Sequence, residues 1–310
     1  MSAAIQRLNE ADACHDNDAP RAAALLRDVD PAQLDTAARP RLAFLLNHVL
    51  GEKLGDWLDA SARQQRLLSA SGVDVTVALW RQAAVAARLA GDRDTEMAST
   101  AGLAGAAGAP SEQAAQVIAL AAVMFQVPGL PPREAAEAAL GALQPLEAEP
   151  AWLDASELDA SAAACCNNLS ADLCERPRAD LDHAPLRAAM SAAAALAQRL
   201  WQRAGNWVHH ERAWYQRAIV ANTLGDPHPA RAHALAGLAL LDRHDDAGEE
   251  FVDRAFLELE LAHANARLGL DVEAAAALSL ARSLAGRFGD EALDRWFASR
   301  TARLEALRRQ

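Results

Sequence analysis

An Ala/Leu-rich stretch that stops at a Gly and restarts after a small polar residue recurs along this 310-residue chain. It occurs as Leu54-Gly55-Asp56-Trp57, Ala90-Gly91-Asp92, Ala204-Gly205-Asn206-Trp207, Leu224-Gly225-Asp226 and Leu268-Gly269-Leu270-Asp271. Gly ends a helix in the left-handed conformation at little steric cost, and the Asp or Asn after it can cap the next helix. Recurrence at the length of a helix pair predicts an all-α fold: an α-solenoid, or superhelix, of antiparallel helix pairs with about 14–15 helices.

Composition fits that architecture. Hydrophobic residues make up 52% of the chain, yet mean hydropathy is only -0.07, so the apolar content is interleaved with charge as in amphipathic helices. β-Branched and aromatic residues are scarce, which argues against a sheet. Leu42, Leu45, Leu46, Val49 and Leu50 follow the i, i+3, i+4, i+7, i+8 pattern of a buried helical face. Helices are expected from Ser2 to about Cys14, from Ser111 to Val127, from Arg133 to about Leu146 and from Trp152 to Cys174. Further ones are expected near 186–204, 207–224, 228–242, 249–268, 271–287 and 290–308. The last, with Leu293, Trp296, Phe297, Leu304 and Leu307, reads as a terminal cap, or as a surface for pairing into homo-oligomers. The acidic, Pro-ended stretch Glu147–Pro150 divides the chain into N-terminal helical repeats (1–150) and C-terminal repeats (151–310), and the charged segment Glu175–Pro185 reads as an exposed insertion.

A net charge of -12 argues against binding a phosphate backbone, so nucleic acid is not an expected partner. The longest apolar run, Val117–Phe125, is too short to span a bilayer, and no membrane association is expected. No secretory signal is evident, and adjacent Cys165 and Cys166 fit poorly into a disulfide framework; a cytoplasmic location follows as the expectation. Arg supplies all the basic residues except Lys53, in keeping with a GC-rich bacterial genome.

With Gly225 as the turn residue, Trp214, Ala218, Ala221 and Ala230 take places where the tetratricopeptide repeat keeps bulky or small residues. Leu261, Ala262, Ala274, Leu278 and Ala281 do so around Gly269, and Trp80, Ala84 and Ala87 around Gly91. The chain thus resembles that family of 34-residue helix–turn–helix units. The resemblance implies a concave groove lined by the first helix of each pair, where a protein or peptide segment lies, and hence a binding or scaffolding role. Related solenoids also serve as sensory or regulatory modules for small ligands and signalling peptides.

Asn recurs on these first helices, at Asn47, Asn167, Asn168, Asn222 and Asn265, and an amide can serve a peptide backbone as both donor and acceptor. Trp207, His209, His210, Arg212, Trp214, Tyr215 and Arg217 form the densest cluster of residue types enriched at binding hot spots. Trp207 and Trp214, two turns apart, are expected in the core. That leaves His210, Tyr215 and Arg217, with Asn168, Asn222 and Asn265, as groove candidates. Cys165, Cys166 and Cys174 read as buried apolar residues, and no metal or cofactor is expected. There is no phosphate loop, nucleophile elbow or Cys-x-x-Cys pair, so the chain does not read as an enzyme; the alternative is a helical-repeat enzyme with no recognisable motif.

Overall fold

A computed structural model describes residues 2–70, 74–148 and 157–308. Fifteen α-helices account for most of them, with no strand among the described residues. The chain forms two compact units, one of Met1–Phe125 with Ala151–Ser161, the other of Gln126–Pro150 with Ala162–Gln310. Pro150, the boundary expected from sequence, and the first turn of the helix expected from Trp152 lie outside the described residues.

In the first unit, helices α1 (Ala3–Cys14) and α2 (Ala19–Arg27) start on side-chain caps: Ser2 accepts from the Ile5 amide and Asp18 from the Arg21 amide. Helix α3 (Ala38–Leu45) runs without interruption into a π-helical stretch, Leu46–Lys53. Helices α4 (Trp57–Ser69), α5 (Val77–Ala90), α6 (Arg93–Ala107) and α7 (Ser111–Gln126) follow. At the α5–α6 turn Gly91 takes φ 76°, which only Gly adopts cheaply, and Asp92 then accepts from the Thr95 amide. Gly102 answers a different demand. A Cβ there would lie 2.5 Å from the Trp80 ring, so its absence lets α5 and α6 close on each other. Leu8, Leu26, Leu42, Leu45, Leu46, Leu50 and Leu67 fill the core; full burial of such side chains contributes about 1.5–3 kcal/mol each.

The second unit contains α8 (Pro132–Ala148), α9 (Glu157–Glu175) from Ala162 onward, α10 (Ala184–Ala204), α11 (Trp207–Leu224), α12 (Pro227–His244), α13 (Phe251–Arg267), α14 (Asp271–Ala285) and α15 (Glu291–Arg308). Consecutive helices from α10 to α14 pack pairwise, and α11, α13 and α15 also touch in succession. Helix α13 is central: every residue from Ala255 to Asn265 is buried. Phe297 and Leu304 of α15 close against Phe256 of this helix.

One local expectation is corrected and a second is refined. Gly205 is not left-handed (φ -97°); a Cβ there would meet His209 Cβ and Trp201 O at 2.7 Å, so crowding explains it. The segment 175–185 is mostly exposed, as expected, but a 3₁₀ turn over Arg178–Asp182 anchors it. Leu181 is buried, and Arg176 donates to Val127 O and Leu130 O at 2.9 and 2.8 Å while pairing with Asp180.

Candidate functional site

Three helices of the second unit each carry a mostly polar stripe at the spacing normally reserved for a core. On α11 it is Arg212, Tyr215, Gln216 and Ile219; on α15, Trp296, Ser299, Arg300 and Arg303; on α9, Asn167, Ala171, Cys174 and Glu175. At 3.6 residues per turn each set shares one face. Together with Asp253 of α13 they enclose a cavity of about 640 Å³. That lies within the roughly 300–1,000 Å³ of small-molecule and cofactor sites.

One wall is anchored by a buried ion pair. Arg300 donates through Nε and an Nη to the two Glu260 oxygens at 2.5 and 2.9 Å, both side chains being almost wholly buried. Asn222 donates to the same carboxylate at 2.7 Å and to the Glu260 carbonyl at 3.0 Å. Burial works against the Arg300 charge, but the Glu260 carboxylate outweighs it and holds the guanidinium protonated. Its remaining Nη has no partner. Tyr215 Oη, Gln216 Nε2 and Asn167 Oδ1 are likewise buried and unpartnered, all on cavity-lining residues. Leaving such an atom unsatisfied costs about 1–3 kcal/mol, so these four groups would gain from a polar occupant of the cavity.

Arg303 binds Glu175 at 2.6 Å and the Cys174 carbonyl, and Arg212 binds Asp253 at 2.8 Å. Behind Arg212, Glu211 is fully buried. Burial first, and then the neighbouring Asp253 charge, raise its pKa to about 9, so it is a neutral acid at pH 7. Burial likewise pushes the Tyr215 phenol well above its ordinary value, with the Glu260 charge adding to it. The Cys174 thiol is pushed up to about 12 by burial, which makes it inert.

Of the six groove candidates chosen from sequence only Tyr215 lines this cavity, joined there by Asn167 and Arg212 of the wider Asn and aromatic sets. Asn168 is exposed beside the cavity-lining Asn167. His210 Nε2 contacts the Trp201 carbonyl at 3.0 Å and fastens α11 to α10. Arg217, two residues from Tyr215, turns about 200° away at helical spacing, where it meets Gln198 at 2.6 Å and stands over the Trp214 ring. Asn222 is engaged by Glu260, and Asn265 accepts from Arg231 at 2.9 Å. These two amides tie helices together inside the stack. Trp207 and Trp214 are half-buried, stacking on His244 and His233. Gln216, Arg300 and Arg303 were missed; the signal was the polar stripe itself, repeated on three helices.

The chain matches no protein-family model and is similar to none of the curated proteins. No helix among the described residues is long and apolar enough to cross a membrane.

Proposed function

We propose that the second unit is a tetratricopeptide-like, solenoid-type binding module that holds a peptide or protein segment in the cavity between α9, α11 and α15. The observation that carries this reading is the convergence of four buried, unpartnered polar atoms (Asn167 Oδ1, Tyr215 Oη, Gln216 Nε2 and an Arg300 Nη) on one cavity. Together they offer donors and at least one acceptor, the pairing that a peptide backbone satisfies. The repeat reading is supported by a hydrogen-bond device found in both units. Asn47 donates to the carbonyl and side chain of Gln82 at 2.9 and 2.7 Å, as Asn222 does to those of Glu260. The cavity volume favours one second reading, a sensory module for a small polar ligand.

Trp296 lines the cavity and is a built-in reporter. A random octapeptide library selected on the wild type should yield binders that change Trp296 emission, and Tyr215→Phe/Gln216→Leu should weaken them at least about tenfold. Binders retained unchanged by that variant would place recognition elsewhere. An empty selection, with emission shifted by a metabolite extract, would favour the small-ligand reading.

A further inference from the structure

The first unit brings together residues that sequence spacing keeps 33 apart. His15 follows the last turn of α1, Asp16 follows it, and His48 sits in the π-helical stretch. One nitrogen or oxygen from each of His15, Asp16 and His48 lies within 4.8 Å of the others. π-Helical turns occur disproportionately at functional sites, because the extra residue redirects a side chain.

The decisive detail is how the two rings are held. His15 Nδ1 lies 2.5 Å from the Asp12 carbonyl, and a carbonyl can only accept, so Nδ1 carries the hydrogen. His48 Nδ1 lies 2.6 Å from Glu52 Oε2, and the same logic applies to a carboxylate. With the hydrogen on Nδ1, the nitrogen left to bind a metal on each ring is Nε2. A metal-ligating histidine is typically oriented in this way, its other nitrogen donating to a carbonyl or a carboxylate. The His48 ring is further fixed by stacking on Phe44 at 5.4 Å and meeting the His15 ring edge-on at 5.3 Å.

We propose that His15, His48 and Asp16 form a binding site for a divalent first-row transition metal of the zinc class, with Glu52 and the Asp12 carbonyl as positioning groups. Two imidazoles and a carboxylate suit such ions and not Mg²⁺ or Ca²⁺, which take oxygen. His15 Nε2 and Asp16 Oδ1 already stand 3.6 Å apart, near the spacing that bonds of about 2.0–2.2 Å to one ion require. Lys53, the only lysine in the chain, holds Asp16 Oδ1 at 2.7 Å and competes with the metal for that charge. Three protein ligands leave a fourth tetrahedral position open to water.

Titration of the metal-stripped full chain with ZnCl₂, followed by calorimetry, tests this, with Co²⁺ absorption as a second readout. One equivalent should bind with Kd tighter than about 10 μM. His15→Ala, His48→Ala and the surface variant Asp16→Asn should each weaken binding at least about tenfold, and Glu52→Gln about 10–100-fold, with helicity by circular dichroism unchanged. Lys53→Ala should tighten it. Absence of Zn²⁺ binding overturns the proposal. So does binding that survives both histidine variants, or that is abolished by Cys14→Ser while they leave it intact.

Discussion

Both units bury a polar network at the contact between successive first helices, but they use different chemistry. In the first unit it is made of amides: Gln64 donates to the Ala43 carbonyl and Asn47 Oδ1 at 2.7 and 2.8 Å, and Asn47 donates on to Gln82. In the second, Asn222 and Arg300 converge on the Glu260 carboxylate. Amides need no counterion and do not titrate. The ion pair carries a desolvation penalty that its attraction must offset, and it leaves a guanidinium N–H over at a cavity wall. A neutral network would have sufficed to join helices, as the first unit demonstrates. The charged one is the feature that ties packing to the candidate site.

The sharpest way to break this comparison is to remove Glu260. Glu260→Leu strands the buried Arg300 charge and should destabilise the chain by about 3–5 kcal/mol in urea unfolding, while Glu260→Leu/Arg300→Met should recover most of it. A double variant no better than the single one would mean that the pair's charge is not the source of the cost. Next comes pH. Glu211 titrates near 9 when folded and near its ordinary value when unfolded, so the folded state binds the extra proton between those values. Its contribution is complete below the unfolded pKa and lost as pH rises through the folded one. Glu211→Gln should match the wild type near pH 4.5 and exceed it by several kcal/mol at pH 9, read from thermal melts across that range. Gln64→Leu, the uncharged counterpart of the first test, should cost about 1–3 kcal/mol by leaving Asn47 Oδ1 unpartnered. A loss equal to that of Glu260→Leu would erase the distinction between the networks. Smallest of all, Asn168→Ala should leave the melting temperature and any octapeptide binding unchanged, whereas Asn167→Ala should weaken binding.

Helices were readable because their cause is local. The 3.6-residue period, the Asp and Ser caps and the left-handed Gly91, Gly225 and Gly269 place α5, α6 and α11 to α14 within a few residues of expectation. The site was largely not readable, because its causes are long-range. Arg303 meets Glu175 across 128 residues, and Arg300 meets Glu260 across 40. Arg300 on a helix of low apolar content looks like solvated charge until α13 is known to lie beneath it. The aromatic cluster drew attention to α11, but of its members only Arg212 and Tyr215 face the cavity, since 210 and 217 are held by neighbouring backbone and side chains. The Asn series failed for a related reason: Asn47 and Asn222 fasten helix to helix instead of meeting solvent.

Helix α13, buried on every side from Ala255 to Asn265, has no solvent-facing edge along which to open a turn at a time. Its amide protons can therefore reach water only when α11, α12, α14 and α15 have all let go, which makes α13 the clock for global opening of its unit in deuterium exchange. The exposed stretches of α14 and α15 should exchange well before it.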